Sequence, residues 1–126
     1  MIVVDTSVWV QALRKGAFGG ELARTIRAEA AFMPIPVRIE LMLGWSQRQA
    51  KTLQYTLDSV FTLHPTDDTW ETVHEWAHRA IQAGQRFGFA DLLIGAIAAE
   101  HDAPVWSFDA DFDRMEALGF VELYRP

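Results

Sequence analysis

Short apolar runs alternate along this chain with longer stretches whose apolar residues recur every three or four positions. The first run, IVV at 2–4, closes on Asp5-Thr6-Ser7, which reads as a buried strand feeding a helix N-cap. The helix carries Val8, Trp9 and Leu13 as far as Lys15-Gly16, and Gly19-Gly20 separates it from a second helix over about 21–31 with Leu22, Ile26 and Ala30 at helical spacing. Residues 31–35 predict another short strand. Pro36 suits the first turn of a helix holding Ile39, Glu40, Leu43 and Gly44, because its missing N–H has no helical partner there. A helix over 47–58 and a strand over 61–63 follow.

Thr66-Asp67-Asp68 caps a long helix, about 68–84, with Trp70, Val73, Ala77 and Ile81 along one stripe. Asp91 opens a helix that is apolar nearly all round, from Leu92 to Ala98, and therefore buried. A strand over 105–108, a short helix over 111–118 and a last strand over 121–123 complete the order. Strands of three or four residues between helices imply an α/β fold, one domain over residues 1–126, with a mainly parallel sheet covered on both faces. In such a three-layer α/β/α arrangement ligands bind outside the carboxyl ends of the strands, where the strand order reverses.

Composition narrows the function. Half of the 126 residues are hydrophobic, so a packed core is expected. Cysteine is absent, which excludes disulfides, cysteine-ligated zinc and a thiol nucleophile. MIVVDTSV lacks the pattern of a signal peptide, and no apolar run approaches the ~20 residues that span a bilayer; a cytoplasmic protein is expected. A net charge of −6 argues against a simple nucleic-acid-coating module. It argues less against a nuclease, whose bound cations offset acidic ligands. Arg14, Lys15 and Arg86 lie nearest the proposed site segments and are the candidates for RNA phosphate contacts.

Five carboxylates stand where the chain turns from strand to helix or lie in otherwise apolar helices: Asp5, Glu40, Asp91, Asp109 and Asp111. The cations within those segments are Arg38 and Arg114, too few to neutralise five acids. An unpartnered buried carboxylate costs several kcal/mol or surrenders its charge. Singly, Asp5, Asp91 and Asp109 are also good helix caps, whereas Glu40, among Ile39, Leu41, Met42 and Leu43, is harder to dismiss as a solvated helix position. Jointly, acids of one type at crevice-facing points imply a hard divalent cation, Mg2+ or Mn2+, held by oxygen alone. Such an ion polarises a phosphoryl oxygen and lowers the pKa of bound water, which fits phosphodiester hydrolysis.

The stretches VVDTSV, IELMLG and FADLLIGAIAAEHDAPVWSFDADFDRM, in that order, resemble a PIN-domain ribonuclease of the VapC toxin type and span essentially the whole chain. The resemblance implies that Asp5, Glu40, Asp91 and Asp109 are the catalytic and metal-binding quartet. It adds Asp111 as a further metal-side acid and Ser7 as a supporting hydroxyl. It also implies endoribonuclease activity, a homodimer and a VapB-type antitoxin partner.

Two other readings compete. His74-Glu75-Trp76-Ala77-His78 matches the H-E-x-x-H zinc metallopeptidase signature, with Glu100 as a third ligand. Against it, Arg79 follows the second histidine, and Ile81 and Gly84 replace the extended motif's Gly and His. The other is a non-catalytic interaction module on the same fold, with Trp9 and Trp45 as candidate interface aromatics, although core packing is the favoured role for each.

Overall fold

Each predicted strand except the last joins one parallel sheet in the computed structural model, which describes residues 1–14 and 20–126. β1 (Ile2–Val4), β2 (Ala31–Pro34), β3 (Phe61–Leu63) and β4 (Val105–Trp106) lie in the order β3-β2-β1-β4. β1 pairs with β2 through Ile2↔Ala31 and with β4 through Val3↔Val105, so the chain builds outward from β1 in both directions. That reversal puts the crevice between the carboxyl ends of β1 and β4.

Among the described residues seven helices connect and cover the sheet: α1 (Thr6–Arg14), α2 (Gly20–Arg27), α3 (Ile35–Leu43), α4 (Gln47–Asp58), α5 (Asp67–Gln82), α6 (Phe89–Glu100) and α7 (Ala110–Ala117). The architecture is the three-layer α/β/α expected. Its core runs from Val3, Val4 and Trp9 through Met33 to Ile94, Ile97, Phe112 and Met115. α6 is buried from Leu92 to Ala98, as its apolar circumference requires. Gly95 allows this: a Cβ there would lie 2.6 Å from a Met115 methyl, 3.0 Å from Val121 and 3.3 Å from Trp76. Trp76 in turn stacks flat on Phe120, centroids 4.6 Å apart.

Thr66 caps α5 reciprocally with Thr69, and both hydroxyls donate to the Glu100 carboxylate at the end of α6. This latch fixes α5 against α6. Among the described residues no helix is long and apolar enough to cross a membrane.

Three expectations shift. The fourth strand stops at Trp106, because the amides of Phe108 and Asp109 turn to the Ser7 and Ser107 hydroxyls instead of a ladder. The last strand reduces to a single parallel bridge, Val105↔Leu123. Asp91 stands in the first turn of α6, whose N-cap is Gly88. Pro34-Ile35-Pro36 leads β2 directly into α3, with Pro34 as N-cap and Pro36 in the first turn.

Candidate active site

β1 delivers Asp5 to the crevice. Its backbone stays in the sheet, with its N–H donating to the Trp106 carbonyl at 2.9 Å, while its carbonyl accepts from Val8 as α1 begins. The residue is only 4% exposed. Two hydroxyls, Ser7 Oγ and Ser107 Oγ, each donate to Asp5 Oδ2 at 2.8 Å. The Phe108 amide then donates to Ser7 Oγ at 2.9 Å, and the Asp109 amide to Ser107 Oγ at 3.0 Å. Both hydroxyl hydrogens therefore converge on one carboxylate oxygen, and none of these bonds uses Oδ1. Ser107 was not singled out from the sequence. Its signal was position: a hydroxyl residue directly after β4, two before Asp109, mirrors Ser7 two after Asp5.

β4 and the turn behind it deliver Asp109, the N-cap of α7, whose Oδ1 accepts from the Asp111 amide at 2.9 Å. The capping reading of Asp109 is thus realised. Asp91 comes from the first turn of α6, and one oxygen each of Asp91, Asp109 and Asp111 lies within 4.8 Å of the others.

The acids feel one another. Burial, and then the charges of Asp5, Asp109, Asp111 and Glu40, push the Asp91 carboxyl up from 3.8 to about 7. The Glu40 carboxyl is also raised, by desolvation first and the Asp5 charge second, with the Thr6 hydroxyl opposing. More of Glu40 meets solvent than of Asp5 or Asp91. The structure therefore gathers Asp5, Glu40, Asp91, Asp109 and Asp111 at one place, drawn from the end of β1, α3, the first turn of α6, the β4–α7 turn and the first turn of α7.

The two nearby arginines divide. Arg38 turns away, pairing with Asp58 at 2.9 Å and with the Leu57 carbonyl. Arg114 pairs with Asp111 Oδ1 at 2.6 Å. Four of the five acids are left without an ion-pair partner among the described residues. Oxygen donors this close, with one carboxyl driven toward neutrality by burial and by its neighbours, fit a hard divalent cation.

Of the three phosphate candidates, Arg14 and Arg86 lie among the described residues. Arg14 ends α1 and lines a groove of about 360 Å³ together with Glu40, Leu41, Trp45 and Gln49. Arg86 is exposed on the segment leading to Asp91. Lys15 lies outside the described residues.

The competing readings lose their geometry. His74 and His78 are exposed on α5, and Glu100, the presumed third zinc ligand, is held by Thr66 and Thr69. Among the described residues the one cluster of three or more metal-ligating side chains is Asp91, Asp109 and Asp111, with no histidine. Trp9 is wholly buried, a core residue and not an interface aromatic. Trp45 is half-buried on the groove.

Known proteins agree with this geometry. The PIN domain family profile matches residues 2–118. Ribonuclease VapC11 of Mycobacterium tuberculosis is 31% identical over 120 residues, 90% of each chain. Among solved structures, Mycobacterium tuberculosis VapC20, described as a Sarcin-Ricin loop cleaving toxin, is 26% identical over the full length of both chains, with a TM-score of 0.71. The DNA-bound VapBC of Salmonella typhimurium shares the fold at a TM-score of 0.82 and 12% identity, covering 98% of this chain and 96% of that one. The chain belongs to the PIN-domain family, in its VapC ribonuclease branch.

Proposed function

We propose that this chain is a divalent-metal-dependent endoribonuclease, the toxin of a VapBC-type toxin–antitoxin module, acting in the cytoplasm as a single PIN-like domain. The observation that carries the reading is the meeting of the Asp91, Asp109 and Asp111 carboxylates within 4.8 Å, close enough to Asp5 and Glu40 that their charges raise Asp91. Asp5, Glu40, Asp91 and Asp109 are the catalytic quartet, and with Asp111 they hold Mg2+ or Mn2+. The chemistry such an ion would supply there is polarisation of the scissile phosphoryl group and a lowered pKa of bound water.

The chain's own residues supply the rest. Ser7 and Ser107 fix Asp5 Oδ2, so its other oxygen keeps one orientation toward the hollow. A carboxylate of the quartet takes up the proton released from the attacking water. Arg14, Lys15 and Arg86 attract the RNA backbone to the rim of an otherwise acidic surface. The names of the relatives support RNA as substrate, and the toxin–antitoxin complexes among the structural neighbours support a VapB-type antitoxin partner. A homodimer follows from the family resemblance.

The test is cleavage of a mixed RNA substrate with Mg2+, Mn2+ or chelator, run beside Asp91→Asn and Asp5→Asn. Cleavage should require the metal and disappear in both variants while they remain folded. Metal-dependent cleavage surviving in either variant refutes its assignment to the quartet.

A further inference from the structure

Arg114 sits one turn beyond Asp111 on α7, and its guanidinium reaches in three directions. It donates to Asp111 Oδ1 at 2.6 Å, to the Gln85 side-chain carbonyl, and to the Arg86 backbone carbonyl at 3.3 Å. Its plane also lies over the Phe87 ring, 4.5 Å from the centroid. One side chain thus ties α7 to three consecutive residues of the segment joining α5 to α6. That segment runs directly into Gly88, the N-cap of α6, and then to Asp91. Phe87 packs edge-on to Phe120, which anchors the far side of the same connection to the core.

Asp91 and Asp111 therefore come from different elements, and Arg114 is bonded to one of them and to the backbone that carries the other. We propose that Arg114 is a positioning residue for the metal site: it fixes Asp111 through a single oxygen and sets the 85–88 segment so that Asp91 meets Asp111 and Asp109. This inference rests on the metal site proposed above.

Charge and geometry make opposite forecasts here. A guanidinium beside a ligand carboxylate repels an incoming cation, so charge alone says that removing it tightens metal binding. Positioning says that removal loosens two of the three ligands and weakens binding, since Mg2+ and Mn2+ demand closely defined oxygen positions. Lysine keeps the charge but lacks the planar fork needed to hold Asp111, Gln85 and the Arg86 carbonyl together.

The experiment measures Mn2+ affinity of the full chain by electron paramagnetic resonance of free Mn2+, with melting in chelator as the folding control. Arg114→Ala should weaken Mn2+ binding about tenfold while remaining folded, and Arg114→Lys should recover only part of the loss. Should Arg114→Ala fail to fold, Gln85→Ala, which leaves the Arg114–Asp111 pair intact, decides by the same reading with a loss of about threefold. Affinity equal to or tighter than that of the parent in the deciding variant overturns the inference. Failure of the underlying metal site is distinguishable: there, Asp91→Asn binds Mn2+ as well as the parent chain.

Discussion

Asp91→Asn should stabilise the metal-free protein above neutral pH, and the size of the gain follows from the crowding of charges around it. The Asp91 carboxyl is raised from 3.8 to about 7 by burial and by four neighbouring acids. A group raised on folding holds its proton more tightly in the native state, so its contribution is complete below pH 4 and is lost as pH rises through about 7. At 1.36 kcal/mol per pH unit the loss has an upper bound of roughly 4 kcal/mol. The side chain is only half-buried, and solvent screening brings this to roughly 2 kcal/mol.

Asparagine has no proton to lose and escapes the penalty. In chelator at pH 8, Asp91→Asn should melt above the parent by roughly 5–10 °C, a range set by the entropy of unfolding for a chain of this size. At pH 4.5 the gap should shrink to roughly 1 kcal/mol, because the native carboxyl is then protonated and the remaining difference is the ionisation of the unfolded chain above 3.8. Saturating Mg2+ should raise the parent's melting temperature at pH 8 and leave the variant's nearly unchanged. The assay is differential scanning calorimetry across pH 4.5–8, with chelator and then with Mg2+. A variant that melts at or below the parent at pH 8 without metal, or a gap that does not depend on pH, refutes the reasoning.

Other substitutions test other parts of the structure. Ser107→Ala removes a donor to Asp5 Oδ2 and the acceptor of the Asp109 amide, and should cost about 1–2 kcal/mol in denaturant melts and lower RNA cleavage with little change in KM. Parental kcat in that variant would show that the second hydroxyl is dispensable. Gly95→Ala forces a methyl between Met115, Val121 and Trp76 and should destabilise by about 1–3 kcal/mol in the same melts. Unchanged stability would mean that α6 shifts freely against α7.

Much of this protein is determined by local sequence. The apolar runs at 2–4, 31–34 and 61–63 become strands because they are flanked by caps and turn residues and are too short for stable helices. The 89–100 helix is buried because it has no polar face to show to solvent. The acids were legible for the same reason, since Asp5, Asp91 and Asp109 interrupt apolar segments where a lone charge is expensive.

Which oxygens meet, and what holds them, was decided by the tertiary structure alone. Ser107 acquires its role from meeting Ser7, 100 residues away, at the carboxyl ends of the paired strands β1 and β4, so that two hydroxyls close on one carboxylate oxygen. Arg38 and Arg114 are equivalent on paper, yet one turns out to Asp58 and the other in to Asp111. The fourth strand ends early because side-chain hydroxyls take the amides that a ladder would use. The H-E-x-x-H match loses its third ligand because Glu100 is bonded across to the cap of α5. Local pattern sets which backbone forms and which face it buries, through propensity and hydrophobic period. Partnerships between side chains distant in sequence depend on strand order and helix crossing, which no local window contains.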